Sequence, residues 1–582
     1  MRTMLLKVAC GACTVALIGC YDLTVQDQSG RTRDELFADP QAVETHTATV
    51  FTNLWMGMHN ALPWQAIATW GEEITSSNDL NFIWAVGQEP RPPIDNAPVT
   101  GTTSGLMYAP WHRLYEGNSY SVDMLREIAN RRYKIINRQT GLDETTRTVA
   151  FAKFVHAMSH IYLGLMYDQA AIIPEGTDLA APEIPRIPLS PYREVLDSGF
   201  TWMERAIDLV DSASFVLPRL QQLWIYGQQV GSADLVRVMR SYLGRSMVYA
   251  ARTPEERDAV DWEKVKALIS SDSGILQDFG PGGFGSRPVS WANVGYWMLI
   301  SSDGSGTTSN RQSPHAARVD LRLLGPGDTT GAYQVWLAKA DAPGRDSVVP
   351  AVLGSPDRRI QIGGSPGAPG NGTIFRFTPN RPPDSQTNGM PASRGAYYYS
   401  NYYSLARARP SDGCNQSNSA TACLWGVQQV SLTVDEMNLL TAEAELRLGN
   451  PEVAAALINI SRQRDGGLPP VDVNGPPQAT AAEQASCVPK RYDGTCGDLF
   501  DALFYEKRIQ LYGREGLIAW ADLRGWGCLL EGTPLHLPVP TSDLDLLDVP
   551  RYTFGGRPGE PGSAPLPGDC PLMVNPNVRR LP

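Results

Sequence analysis

The sequence predicts a mainly α-helical protein built of helical hairpins and interrupted by one large, irregular, loop-rich insertion. Three observations lead there. Apolar residues recur at steps of three and four in several long windows of the first half, the stretch from about Gly274 to Cys423 is instead rich in Gly, Pro, Ser, Asn and aromatics, and helical period returns at Thr433. The chain thus divides into residues 1–19, an N-terminal helical region 20–273, a loop-rich insertion 274–423 and a C-terminal region 424–582 that holds the last hairpin and a strong final helix.

Residues 1–19 read as a lipoprotein leader. Arg2 and Lys7 are followed by the apolar run Val8 to Ile18, and Ala16-Leu17-Ile18-Gly19-Cys20 forms a lipobox whose cysteine becomes the acylated N-terminus. The run is shorter than the roughly 20 residues that cross a bilayer. Diacylation at Cys20 would hold the chain on a membrane without spanning it. Beyond Cys20 the cysteines fall as Cys414 and Cys423, Cys487 and Cys496, and Cys528 and Cys570. Outside the cytoplasm such local pairs read as disulfides; zinc is the weaker account, with no Cys-x-x-Cys and no histidine near the first two pairs. The net charge of −11, without a long basic run, argues against nucleic acid as a partner.

The elements follow in order. Helix is expected from Asp34 to about Asn60 and from about Leu106 to Asn137, with a loop-rich segment, Trp64 to Gly105, between them. Thr145 to Ala170 reads as a long amphipathic helix on the spacing of Phe151, Phe154, Val155, Met158, Ile161, Tyr162 and Leu165. A Pro-rich connection, Pro174 to Pro191, leads to helices at Tyr192 to Val210, Ala233 to Arg252 and Asp261 to Ser270. Within the insertion only short strand-like pieces stand out, Tyr333 to Ala338 and Thr373 to Thr378, yet its many aromatics argue for order. After Thr433, Met437, Leu440, Ala444 and Leu448 make one apolar stripe, Gly449-Asn450-Pro451 stops that helix and starts the next, and Val453, Leu457 and Ile460 make a second. This pair resembles one tetratricopeptide unit. A last helix is expected from Asp498 to about Tyr512.

Four landmarks carry a wider resemblance: the start Cys20-Tyr21-Asp22-Leu23-Thr24-Val25, the helix from Asp435 to Ala444, the run Tyr505-Glu506-Lys507-Arg508-Ile509-Gln510-Leu511 followed by Arg514-Glu515-Gly516 and Trp520 to Arg524, and the ending Leu537-Pro538-Val539-Pro540. Together they resemble the SusD/RagB family of outer-membrane nutrient-binding lipoproteins. Lys507 and Gln510 stand where that family more often has Arg and Glu. The resemblance implies a SusD-like α-α superhelix of four stacked tetratricopeptide-like hairpins, lipid-anchored at the outer membrane and probing the cell exterior. It implies two partners, a SusC-like TonB-dependent transporter that the protein caps and a glycan or other polymeric nutrient, and no cofactor. Glu506, Arg508, Asp522 and Arg524 are read as ion pairs that fix packing.

Catalysis finds little support in the sequence. Gly363-Gly364-Ser365-Pro366-Gly367 has the outline of a nucleophile elbow, but Pro366 lacks the N–H that the oxyanion hole needs. His156 and His160 share a helix face, with Ala157 where a metalloprotease carries its glutamate. Adjacent Glu72 and Glu73 point to different faces, and the acidic run Asp543 to Asp548 lacks the spacing of a calcium loop. A surface-anchored glycoside hydrolase or esterase is the alternative; a binder, with no catalytic residue and no metal, is the expectation. Sugar C–H faces stack on aromatics and hydroxyls pair with polar groups, so Trp84, Trp291, Tyr296 and Trp297, with Asp79 and Asn81, are the expected ligand contacts. The tyrosines from Tyr397 to Tyr403 are alternatively anchors for the barrel partner.

Overall fold

The computed structural model describes residues 33–59, 61–77, 83–97, 104–179, 187–220, 223–280, 318–342, 347–361, 372–377, 394, 396–398, 400–404 and 430–579. Among these the architecture is mainly helical, with four small two-stranded pairings. Cys20, Cys414, Cys423 and the Gly363–Gly367 loop lie outside the described residues.

The helix Thr145–Met166 is the axis of the N-terminal half, packed by Ser104–Arg131, Tyr192–Asp211 and Phe51–His59. It was expected to be amphipathic and to reach Ala170; it is buried on every face and ends at Met166, because Tyr167 turns to extended backbone. The chain then pairs Gln169–Ala171 with Leu189–Pro191. Among the described residues this is the one helix long and apolar enough to cross a membrane, and its apolar surface is spent on its neighbours. Glycine permits the closest crossing. A Cβ at Gly164 would lie 2.6 Å from Leu196 Cγ, and one at Gly199 would lie 2.9 Å from Ile161 Cγ1.

Local chemistry explains most boundaries. The side chain of Asp39 accepts from Gln41 N–H at 3.1 Å with Pro40 at the first turn, so the expected single helix from Asp34 is broken between Arg33–Leu36 and Pro40–Thr49, and a second break at Val50 sets off Phe51–His59. Thr433 caps Val434–Arg447, Gly449 at φ 82° ends it, and Pro451 opens Pro451–Arg464. Asp498 and Asp501 form a capping box for Leu499–Leu511. Two expectations fail. Ala61–Trp70 and Ile83–Gly87 are helices inside the segment expected to be loop-rich, the first because its apolar side chains from Trp64 to Trp70 are buried together. The expected strand at Tyr333 is the helix Ala332–Ala340, in which Tyr333, Trp336, Leu337 and Ala340 are buried at helical spacing. The other expected strand stands as Phe375–Phe377 paired with Tyr402–Ser404.

The C-terminal region is held by buried charge. Glu443, on Val434–Arg447, accepts from Arg257 Nε at 2.9 Å and Nη2 at 2.7 Å and from Trp526 Nε1 at 3.0 Å. Asp522 accepts from the same Arg257 at 2.8 Å and from Lys507 Nζ at 2.7 Å, and Lys507 also lies 3.3 Å from Glu443. Burial alone would raise the Glu443 carboxyl, but Arg257 and Lys507 hold it well below the usual carboxylate range. A second set joins Glu506 to Arg359 through two bonds of 2.8 Å, with Ser461 Oγ donating at 3.0 Å and Tyr505 donating to Asp357 at 2.8 Å. A third places Arg245 against Glu515, with Tyr162 donating to Glu515 at 2.9 Å. The expected ion pairs thus hold for the acids. Arg508 and Arg524 differ: Arg508 donates to the carbonyls of Gly71 and Glu72 at 3.0 and 2.8 Å, and Arg524 to those of Leu165, Leu535 and Tyr249 at 3.2, 2.7 and 2.8 Å. The acids were already matched by Arg257, Lys507 and Arg359. Two local disulfides, Cys487–Cys496 and Cys528–Cys570, close the same region.

Removing one member of a buried set strands its partners. Glu443→Ala is expected to lose about 3–5 kcal/mol in denaturant unfolding followed by circular dichroism. Arg551→Ala, which breaks a solvent-exposed pair with Asp545, is expected to leave the midpoint unchanged.

Candidate functional site

Three stretches far apart in sequence meet at one place. Ile74–Thr75 pairs antiparallel with Arg318–Val319, and Asp320 N–H donates to Glu73 carbonyl at 3.0 Å, which stitches the early segment to the far side of the insertion. The segment 394–404 lies across both: Tyr397 Oη donates to Glu89 at 2.7 Å, Glu89 N–H donates to Tyr398 Oη at 3.0 Å, and Arg394 donates to Ser77 carbonyl at 3.2 Å.

The short helix Ile83–Gly87 presents Trp84 here, half-buried, with the Arg394 guanidinium 4.3 Å above the centre of its ring. That distance is a cation–π contact. Tyr397 and Tyr398 also belong to a row of rings: Tyr333 stacks on Trp336 at 5.9 Å, Trp336 on Tyr397 at 5.7 Å and nearly parallel, and Tyr397 meets Tyr398 edge-on at 5.1 Å. Arg322 fastens the row, donating to Asp341 at 2.9 Å and to Tyr397 Oη at 3.2 Å. Glu72 is in direct contact with Arg91, and burial pushes its carboxyl up to about 8 against the pull of that guanidinium. On the outer side of Trp336 a hollow of about 700 Å³ opens, lined by Thr330, Val335, Trp336, Lys339, Val348 and Val349.

Of the residues expected to contact ligand, Trp84 is placed in this region; Asp79, Asn81, Trp291, Tyr296 and Trp297 lie outside the described residues. The reading of the tyrosine cluster as partner anchors is corrected for Tyr397, Tyr398 and Tyr402, which are buried inside the chain at 8%, 6% and 0% exposure. Sequence reasoning missed Arg394, which sits in a segment without periodicity, and missed the Tyr333–Trp336 pair by reading it as strand.

Of the groups that tempted a catalytic reading, those among the described residues are otherwise engaged. His156 Nε2 lies 2.8 Å from Ile173 carbonyl, His160 Nε2 accepts from Ile173 N–H at 3.1 Å, and Trp202 packs on both rings. Burial pushes the His156 imidazole down to about 4. Glu72 and Glu73 face apart, the second accepting from Gly513 N–H at 3.3 Å. Asp543 accepts from Trp111 at 3.0 Å and Asp545 accepts two bonds from Arg551. Among the described residues no group of three or more His, Cys, Asp or Glu side chains is arranged to hold a metal ion.

No protein-family model and no curated protein matches the chain. Solved structures do. A SusD superfamily protein from Parabacteroides distasonis superposes with a TM-score of 0.53 at 11% identity, over 89% of this chain and 98% of that one. The fold is SusD-like. Also similar are a SusD superfamily protein from Bacteroides vulgatus, TM-score 0.49 at 13% identity over 89% and 99% of the two chains, and a SusD-like carbohydrate-binding protein from the same species, TM-score 0.46 at 14% identity over 82% and 81%.

Within this SusD-like frame the Tyr397 hydroxyl ties the insertion to the early segment. Tyr397→Phe leaves Glu89 and Arg322 short of a buried partner, and is expected to lower stability by about 1–3 kcal/mol in denaturant unfolding.

Proposed function

We propose that this protein is a lipid-anchored binder of the outer membrane that captures oligosaccharides or related nutrients, without cutting them, and delivers them to a TonB-dependent transporter. The observation that carries the reading is the meeting of the early segment and the insertion at Trp84. A SusD-like fold brings together the two stretches from which ligand contacts were expected, and it presents there an aromatic plane beside a guanidinium. The chemistry suits a sugar: the indole face that Arg394 does not cover takes the apolar C–H side of a pyranose, while the Arg394 N–H groups not donated to Ser77 carbonyl serve ring hydroxyls. The lipobox at Ala16–Cys20 supports anchoring, and the engaged state of the titratable groups described above supports binding rather than hydrolysis.

Calorimetric titration with a panel of neutral and acidic oligosaccharides tests the reading. Trp84→Ala is expected to weaken the best binder by about tenfold, or about 1.4 kcal/mol, and the ligand is expected to be recovered uncut by chromatography. Cleaved product would support the hydrolase instead. In cells, Cys20→Ala is expected to release the protein from the membrane fraction, and native purification of the unaltered protein is expected to recover a barrel transporter. A membrane-bound Cys20→Ala variant, or the absence of any barrel, would remove the corresponding part of the proposal.

A further inference from the structure

The connection between Ser104–Arg131 and Thr145–Met166 is a tight, ordered hairpin with an unusual surface. Arg132 at φ 51° turns the chain out of the helix, Ile136 bridges to Asp143, and Asn137 N–H donates to Leu142 carbonyl at 2.8 Å. The Asn137 side chain accepts from Gln139 and Thr140 N–H at 2.9 and 3.1 Å, and Gly141 at φ 73° completes the turn. At the tip, Ile136 is 41% and Leu142 61% exposed.

The charge around the tip departs from the rest of the chain. Residues 131–144 hold Arg131, Arg132, Lys134 and Arg138 against Asp143 and Glu144, in a chain of net charge −11. Arg131 is paired with Glu127 at 2.8 Å and Glu144 with Arg147 at 3.0 Å. Arg132 and Lys134 are exposed, and Arg138, 77% exposed, has a 3.4 Å contact with Asp39 that is itself open to solvent. Exposed aliphatic groups among Lys and Arg are the composition that settles on an anionic lipid surface, where the cations meet phosphates and the apolar tips enter the headgroup layer.

Position adds a second argument. The hairpin is fastened to the first described segment of the chain: Tyr133 Oη donates to Phe37 carbonyl, Gln41 Nε2 donates to Ile136 carbonyl at 3.1 Å, and Phe37, Val43, Met124, Ile128 and Ile135 form a small core of their own. Residues 21–32 separate Cys20 from the Arg33–Leu36 helix, a span of at most about 47 Å when extended. The described chain therefore begins beside the basic hairpin.

We infer that the hairpin 132–144 is a second membrane contact, binding anionic lipid headgroups beside the anchor and so setting how the body stands on the membrane. The inference rests on acylation of Cys20 for its geometry, and on the hairpin alone for its chemistry. One acyl-bearing residue fixes a point; a rigid contact a short way off fixes an orientation.

The test uses the full acylated chain in vesicles of phosphatidylethanolamine and phosphatidylglycerol, carrying an environment-sensitive fluorophore at Leu142→Cys or, as the control, at Leu546→Cys. Leu546 is 84% exposed and sits in the Thr541–Leu547 helix beside Trp111, about 30 Å along the Ser104–Arg131 helix from the hairpin. Quenching by spin-labelled lipid is expected at Leu142 and not at Leu546. It is expected to fall at least about threefold in 0.5 M salt or in the variant Arg132→Glu/Lys134→Glu/Arg138→Glu. Equal quenching at both sites, or none at Leu142, overturns the inference. Mass spectrometry of Cys20 separates this from the anchor reading. If the cysteine is unmodified, the unacylated chain is sedimented with phosphatidylglycerol and with phosphatidylcholine vesicles, and loss of any preference for the former overturns the hairpin contact independently.

Discussion

The pairing of Glu443 and Asp522 with Arg257 and Lys507 is the constraint on which the rest of the structure depends. The four groups come from separate elements, and each cation contacts both carboxylates. In an interior of low dielectric an unmatched member would cost several kcal/mol, so the helices that carry them have one relative placement in which all are satisfied. Lys507, where Arg is more frequent in the resembling family, fits this arrangement because a single ammonium can serve both carboxylates. Gln510 likewise is used at both ends of its amide, accepting from Arg359 at 3.2 Å and donating to Asp435 and Asp465 at 2.7 Å each.

The region around Trp84 inherits its position from that interior. Arg508, on the same helix as Glu506 and Lys507, reaches the carbonyls of Gly71 and Glu72 and so holds the root of the early segment. From that root the chain runs into Ile74–Thr75, the strand that meets Arg318–Val319, and on to Trp84.

Much of the fold was legible because its boundaries are written locally. Thr433, Asp498 and Asn450-Pro451 sit where caps belong, and the helices they start are where the sequence placed them. Failure came where local and tertiary preferences disagree. Tyr333 to Trp336 carries strand-favouring residues, yet four inward positions at helical spacing decide for helix once a core is available. Ala61–Trp70 was hidden because a helix apolar on all sides shows no period. The site was legible only as two regions. Arg394 reaches Ser77 across 317 residues, and no window of sequence contains both.

The small cluster of Phe37, Val43, Met124, Ile128 and Ile135 is separate from the main core. With so few side chains it buries far less apolar area than the body does, and its opening costs correspondingly less. It also takes in Phe37 and Val43 from the first described segment, so this end of the molecule opens at a lower cost than the frame behind it.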